Sequence, residues 1–189
     1  MATKRRTASS GKASKEKAEP AGVDAISALD LLEEDHIQVE GLFEEFEQLD
    51  DAGEKQELAL KICLALRVHA QIEEEIFYPA ARNVIENTDK IDEAMVEHTS
   101  AKKLIAEIEA ADGGDELYDA KMKVLKEQVL HHIEEEEDEL FPEIEISELD
   151  LEALGRKLTS SKELLLNKAA KDPQSSLERL LPESIKPRE

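Results

Sequence analysis

The sequence repeats one arrangement of histidines, carboxylates and a proline, and this repeat restricts the fold more than any other feature. Each copy has an acidic residue followed by a histidine, and about thirty residues later a His-x-x-x-Glu motif that is followed by a proline. The two histidines are 33 residues apart in the first copy and 34 in the second. The first copy comprises Asp35, His36, His69, Glu73 and Pro79, and the second comprises Glu97, His98, His132, Glu136 and Pro142. A duplicated helical hairpin explains this repeat most simply.

The composition favours helices and argues against a nucleic-acid partner. Aromatic residues are scarce in the 189-residue chain, with no Trp, four Phe and two Tyr, whereas Ala, Leu, Ile, Glu and Lys dominate, as is typical of helical proteins. The net charge is −22, and a nucleic-acid-binding protein needs a basic face. We therefore expect a soluble protein that attracts metal cations or basic partners.

Cysteine content and hydropathy limit the site chemistry and the location. Cys63 is the single cysteine, so the chain has neither an internal disulfide nor a thiolate cluster, and its apolar neighbours place it in the core. No segment approaches the roughly twenty apolar residues of a membrane helix, and the N-terminus lacks the apolar core of a secretory signal. By default we expect a cytoplasmic location and no membrane partner.

The apolar periodicity predicts four helices of comparable length joined by short loops, which favours an all-α, antiparallel up-and-down four-helix bundle. The predicted helices cover about residues 24–49, 54–82, 89–110 and 117–140. Asp24 is the expected cap of the first helix. We assign the bundle domain to residues 23–145 and an additional C-terminal helix to 146–170, starting at Ser147 with Asp150 completing an approximate capping box.

The two ends of the chain differ in composition from the bundle. The first twenty residues contain six basic and two acidic side chains and show no apolar periodicity, so residues 1–22 are expected to form a disordered basic tail. Residues 171–189 contain three prolines and are expected to be loose. The basic tail or the C-terminal helix could contact a protein partner.

The repeated polar residues are expected to point into the bundle core. Residues four apart share one face of a helix, so the His and the Glu of each His-x-x-x-Glu motif project together, on a face that carries apolar residues. Buried imidazoles and carboxylates without partners each cost roughly a few kcal/mol, which a shared metal ion removes. The predicted metal ligands are His36, His69, Glu73, His98, His132 and Glu136.

The donor set predicts the kind of metal centre. Imidazole and carboxylate donors without thiolates suit iron best, with manganese or zinc as alternatives. Two hairpins that each supply two histidines and one glutamate imply two metal ions bridged by Glu73 and Glu136. If each iron has about six coordination positions, the protein ligands leave room for an oxo or hydroxo bridge. About two further positions then remain for dioxygen, peroxide or nitric oxide.

The other polar residues near the motifs are not interpreted as metal ligands. His131 lies about 100° around the helix from His132 and has no counterpart in the first copy, so we interpret it as a non-ligand that could lie in the outer shell. The other acids of 134–139 and of 74–75 are interpreted mostly as a solvated face.

These motifs resemble the hemerythrin HHE cation-binding family over about residues 25–141. The resemblance implies a four-helix bundle around a carboxylate-bridged, non-haem di-iron centre. It implies one iron held by His36 and His69, a second held by His98 and His132, and bridges from Glu73 and Glu136. Oxygen-carrying hemerythrins have a further histidine where this chain has Lys102. Their last motif is His-x-x-x-x-Asp, where this chain has His132-x-x-x-Glu136. The departures favour the bacterial HHE proteins, whose implied roles include sensing of oxygen, nitric oxide, peroxide and iron.

Three functions are compatible with these residues. The leading hypothesis is a non-haem di-iron protein that binds or senses dioxygen or related oxidants, nitric oxide or peroxide, as in oxidative stress. The second is an enzyme that consumes peroxide or nitric oxide, for which Lys102, His131 or Tyr78 are candidate proton sources and no catalytic residue is assigned. The third is a regulatory adaptor whose metal site is vestigial.

Overall fold

The computed structural model describes residues 26–171 and contains helices but no strand within that range. The predicted all-α bundle is confirmed. The predicted basic tail over 1–22, the helix cap at Asp24 and the predicted loose tail beyond Lys171 lie outside the described residues. No helix within 26–171 is both long and apolar enough to span a membrane.

The helices form five rods, two of which contain an interruption. The α-helices are α1 Ala28–Glu47, α2 Ala52–Ile72, α3 Tyr78–Ala81, α4 Asp89–Glu109, α5 Tyr118–Glu135, α6 Phe141–Glu145 and α7 Leu151–Lys171. Two π-helical segments, π1 Glu73–Phe77 and π2 Glu136–Leu140, join α2 to α3 and α5 to α6 without a loop. The fourth predicted helix therefore continues five residues beyond its expected end.

The first four rods form two antiparallel hairpins. α1 packs against α2, α4 packs against α5, and α2 also contacts α4. Leu32 near the start of α1 shares a core cluster with Tyr78 beyond α2, whereas Phe46 at the end of α1 shares another with Leu58 near the start of α2. The two helices therefore run in opposite directions. α7 packs on α1 and α2.

The apolar core is divided into two clusters, and the repeated histidines lie between them. In α1, His36 falls between Leu32 of one cluster and Val39 of the other, and a histidine likewise lies at the change of cluster in α4 and, with the order reversed, in the rods of α2 and α5. Cys63 is fully buried within the second of these clusters. The bundle therefore contains one polar layer enclosed above and below by apolar side chains.

Short acidic side chains define where α2 and α7 begin. Asp51 accepts hydrogen bonds from the N–H groups of Gly53 and Glu54, at 2.9 and 3.0 Å, which makes it the N-cap of α2. The Asp150 carboxylate accepts the N–H of Ala153 at 2.8 Å. The expected start of the C-terminal helix at Ser147 was wrong, because Asp150 itself is the cap.

Gly155 allows α7 to pack closely on the start of α1. A Cβ atom built at Gly155 would overlap the backbone carbonyl of Ile26 and lie 3.0 Å from the nitrogen of Ala28. Because both neighbours are backbone atoms, no rotamer change can relieve the overlap.

We expect Gly155→Ala to destabilise the protein by about 1–3 kcal/mol, since the added methyl forces α7 away from α1. Gly41→Ala is the matched control, because a Cβ there meets nothing within 4 Å, and alanine should stabilise that helical position by about 0.5–1 kcal/mol. Urea unfolding followed by far-ultraviolet circular dichroism measures both. A Gly155→Ala variant as stable as the wild type would contradict the close packing of α7.

Candidate metal centre

Each predicted bridging glutamate is the first residue of a π-helical segment. The N–H of Tyr78 donates to the carbonyl of Glu73, and the N–H of Phe141 donates to the carbonyl of Glu136, five residues back in both cases. Pro79 and Pro142 follow directly. A proline lacks the N–H and crowds the carbonyl four residues earlier, and that carbonyl lies inside the π segment in both copies. The expected continuous α-helices were wrong here, although the repeated proline was a usable signal for the wider turn.

The four repeated histidines meet as two pairs at the middle of the bundle. The Nε2 atoms of His36 and His69 are 3.2 Å apart, and those of His98 and His132 are 3.0 Å apart. Each pair comes from one hairpin, because its two members lie on the helices that the hairpin joins. All four side chains are buried.

Each repeated glutamate faces one histidine of each pair. Oε2 of Glu73 lies 3.2 Å from Nε2 of His69 and 3.4 Å from Nε2 of His98. Oε2 of Glu136 lies 3.5 Å from the corresponding atoms of His36 and His132. The structure therefore brings all six predicted ligands together, with both carboxylates placed between the two histidine pairs.

Four further carboxylates lie outside the six central residues, form an outer ring around them, and orient the imidazoles. The Nδ1 contacts are His36 to Glu137 at 2.7 Å, His69 to Asp35 at 3.4 Å, His98 to Glu74 at 2.9 Å and His132 to Glu97 at 2.8 Å. A carboxylate can only accept, so Nδ1 carries the proton and the lone pair of Nε2 is directed at the centre. Metal-binding histidines are commonly held in this way.

The outer carboxylates follow the sequence repeat. The acid before the first histidine of each copy holds the second histidine of that copy, and the acid after each bridging glutamate holds the first histidine of the other copy. Glu74 and Glu137 were interpreted as part of a mostly solvated face, and Glu137 is indeed exposed, but each contacts a buried histidine, which that interpretation missed. Their equivalent positions, each directly after a bridging glutamate, were the signal that could have identified them.

The centre is arranged to receive positive charge. Two Nε2 lone pairs at about 3 Å repel unless a cation or a proton lies between them. Among the described residues, both carboxylate oxygens of Glu73 and Oε2 of Glu136 are buried without a hydrogen-bond partner. Buried unpaired carboxylates are costly unless they bind a cation. The donor set therefore fits metal ions held by nitrogen and oxygen.

Without a metal ion, protons supply part of this charge. Burial disfavours a charged His69, but the Glu73 carboxylate and the Asp35 hydrogen bond outweigh it and raise the pKa of His69 to about 10. Burial also lowers the pKa of His132, but the Glu136 carboxylate and the Glu97 hydrogen bond outweigh this effect and raise that pKa to about 9. One imidazolium in each histidine pair removes the repulsion between the lone pairs.

Tyr78 touches the bridging region directly. Its hydroxyl donates to Oε1 of Glu136 at 2.9 Å and lies 3.4 Å from Nε2 of His98. Burial, together with the negative charges of Glu136 and Glu73, raises the pKa of Tyr78 well above its ordinary value. The protonated phenol therefore fixes the orientation of Glu136.

Two lysines form ion pairs with carboxylates of the outer ring, whereas His131 lies outside the centre. Nζ of Lys102 lies 2.5 Å from Oε1 and 2.6 Å from Oε2 of Glu74. Lys162 of α7 forms an ion pair with Asp35, so the C-terminal helix reaches the outer ring. His131 is exposed, and its Nε2 lies 3.3 Å from Glu135. It does not join the six buried residues.

A cavity of about 110 Å³ adjoins the four histidines. Its walls are mostly apolar, and the lysines Lys102 and Lys162 also line it. The apolar wall includes Val39, Leu66, Ala101, Ile105, Val129 and Leu166. This volume admits a small molecule beside the centre.

Three comparisons relate this chain to known proteins. The family model described as the hemerythrin HHE cation-binding domain matches residues 27–144. A curated protein of Nostoc sp. called DNA nickase is 31% identical over 115 residues, which are 61% of this chain and 32% of that protein. The chain thus spans about a third of the length of this relative. A solved hemerythrin HHE cation-binding domain-containing protein of Mycobacterium kansasii has the same fold, with a TM-score of 0.69, 24% identity, and coverage of 82% of this chain and 99% of that one.

We expect His69→Ala and His132→Ala each to lose most of the iron bound after anaerobic ferrous loading, because each substitution removes an inward-facing nitrogen and leaves a buried carboxylate without its neighbour. His131→Ala is the control, since its side chain is exposed next to a ligand position. Iron per chain is measured after desalting. Equal losses in all three variants would contradict the separate role of His131.

Metal binding should release about two protons per chain near neutral pH, because metal-bound histidines are deprotonated whereas His69 and His132 hold protons without metal. Both pKa values are raised, so affinity should fall as the pH is lowered through the range below about 9. Calorimetry in buffers of different ionisation enthalpy measures the released protons. A result independent of the buffer would show that the metal does not replace them.

Proposed function

The chain belongs to the hemerythrin HHE cation-binding family, and on that basis we propose that it is a non-haem di-iron protein that binds or senses dioxygen or a related small oxidant. Nitric oxide and peroxide are the related ligands. We assign one iron to His36 and His69 and the other to His98 and His132, with bridges from Glu73 and Glu136. The observation that carries this proposal is that Oε2 of each glutamate faces one histidine of each pair.

The number of donors supports an open centre. Each ion would receive two imidazole nitrogens and one oxygen from each bridging carboxylate, which fill four of about six positions. The remaining positions suit a solvent-derived bridge and an external ligand. Iron, when bound, supplies electron exchange with small oxidants.

The surrounding residues perform the tasks that such a centre needs. The outer carboxylates aim the four imidazoles, and Tyr78 holds Glu136. The largely apolar cavity of about 110 Å³ offers room for a diatomic molecule or a peroxide next to the histidines.

An enzyme that consumes peroxide or nitric oxide is the second candidate, and the position of Tyr78 favours it. Turnover of either substrate requires protons, and the Tyr78 hydroxyl is a buried proton donor 3.4 Å from Nε2 of His98. Lys102 is held by Glu74 and His131 is exposed, so these earlier candidates are less well placed. Steady-state peroxide consumption by the iron-loaded protein distinguishes an enzyme from a sensor.

DNA cleavage is a competing possibility, because one relative is called a DNA nickase. That protein is about three times as long as the matched region, so its named activity need not reside in the shared part. The strongly negative charge of this chain also opposes phosphate binding. Nicking of supercoiled plasmid by the iron-loaded protein tests this possibility directly.

Anaerobic loading with ferrous iron followed by exposure to air should give about two irons per chain, since each histidine pair with its two carboxylates offers one position. Near-ultraviolet absorption bands of a bridged ferric pair should appear on oxidation. Titration with nitric oxide and peroxide then identifies the ligand. Iron uptake well below two per chain, or no new bands in air, would refute the redox-active di-iron proposal.

A further inference from the structure

A second group of possible metal ligands lies outside the buried centre, at the surface of the second hairpin. Glu97, His131 and Glu135 each offer one ligand atom, and these atoms lie within 4.8 Å of one another. The side chains of Glu97, Glu135 and His131 are 24%, 35% and 61% exposed. One imidazole and two carboxylates at a partly exposed position suit a divalent metal ion that keeps several water ligands.

A groove leads from this group to the buried centre. It encloses about 30 Å³, enough for a particle of about the size of one water molecule. Glu97 and Glu135 line it together with His132 and Glu136 of the centre. Glu136 is only 2% exposed, and its Oε2 has no hydrogen-bond partner within the described part of the chain. A buried carboxylate with one unsatisfied oxygen therefore lies at the inner end of the groove.

The charges favour this groove over the large cavity as a path for cations. Glu93 and Glu139 add two further carboxylates to its wall. Its one lysine, Lys90, is bonded to the carbonyl of Glu139 and the carboxylate of Glu143, at 3.0 and 2.8 Å. The large cavity is instead mostly apolar, and its two carboxylates, Asp35 and Glu97, are balanced by two lysines, whereas five carboxylates line the groove. A cleft lined by charges of one sign raises the local concentration of the opposite ion.

The first hairpin has no equivalent group, although its metal ligands match. Aligning the two His-x-x-x-Glu motifs places Val68 opposite His131 and Ile72 opposite Glu135. Both are buried apolar residues. The fold and the ligand repeat therefore do not require the polar pair in the second hairpin.

We propose that Glu97, His131 and Glu135 form an outer station that captures a divalent metal ion and passes it through the groove to His132 and Glu136. This inference rests on the proposed metal binding by the buried centre. Glu97 links the two sites, because its carboxylate also accepts the Nδ1–H of His132 at 2.8 Å. The station governs the rate of loading and not the final content.

The test compares anaerobic ferrous iron loading of the metal-free, full-length wild type with that of a His131→Ala/Glu135→Gln double variant. Samples are quenched with a chelator at successive times and desalted before iron is measured. We expect the double variant to load about tenfold more slowly, because it loses both the ligands and the local negative charge, and to reach the same final content. Glu134→Gln is the matched control, since it removes one exposed charge from the same helix outside the groove, and it should load like the wild type.

Each result has a distinct meaning. Equal rates for the double variant and the wild type would overturn the station, as would equal slowing by Glu134→Gln, which would indicate a general charge effect. A lower final content in the double variant would also overturn it, because these residues would then hold the centre itself. If the wild type takes up no iron, the proposed function of the buried centre fails instead. Far-ultraviolet circular dichroism verifies that each variant is folded.

Discussion

The burial of four imidazoles and two carboxylates in an apolar bundle is the constraint on which the rest of this structure depends. Charged and polar groups at that depth are tolerated only with partners, and the partners here extend outward in ordered chains. On one side Lys162 pairs with Asp35, which holds His69. On another side Lys102 pairs with Glu74, which holds His98. Negative and positive groups therefore alternate from the centre to the surface, and each fixes its neighbour.

The backbone meets the same constraint through the two π segments. Each begins at one of the two central glutamates, Glu73 or Glu136, and leads into a proline. The wider turn keeps both the glutamate and the aromatic residues beyond it inside the bundle: Glu73, Phe77 and Tyr78 are all buried. A π segment inside an α-helix often marks a functional site. Here it lets one rod supply a carboxylate, Glu73, to the centre and a phenol, Tyr78, to the central carboxylate of the other rod, Glu136.

The sequence was sufficient to predict the helical bundle and the six central residues, because apolar periodicity and repeated spacing both indicate which residues lie on the same face of a helix. It was insufficient for interactions that depend on how the helices are rotated and placed. Glu74 and Glu137 looked like members of charge runs. Their equivalent positions in the repeat distinguish them, but which histidine each one contacts depends on how the two hairpins pack. The ion pair of Lys162 with Asp35 joins residues 127 positions apart, and no local pattern predicts it. The π segments were missed because a helical face was extrapolated through the residues before proline.

The two halves of the centre match in their histidines and glutamates but differ in their surroundings. In the first hairpin the outer carboxylate Asp35 is closed off by Lys162 of α7. In the second hairpin its counterpart Glu97 stands on an acidic groove and beside an exposed histidine. A cation bound by the first histidine pair would thus be shielded by a helix beyond residues 27–144, the span that the family model matches. One bound by the second pair would lie next to the acidic groove, so the rest of the chain makes the two repeated halves of the centre unequal.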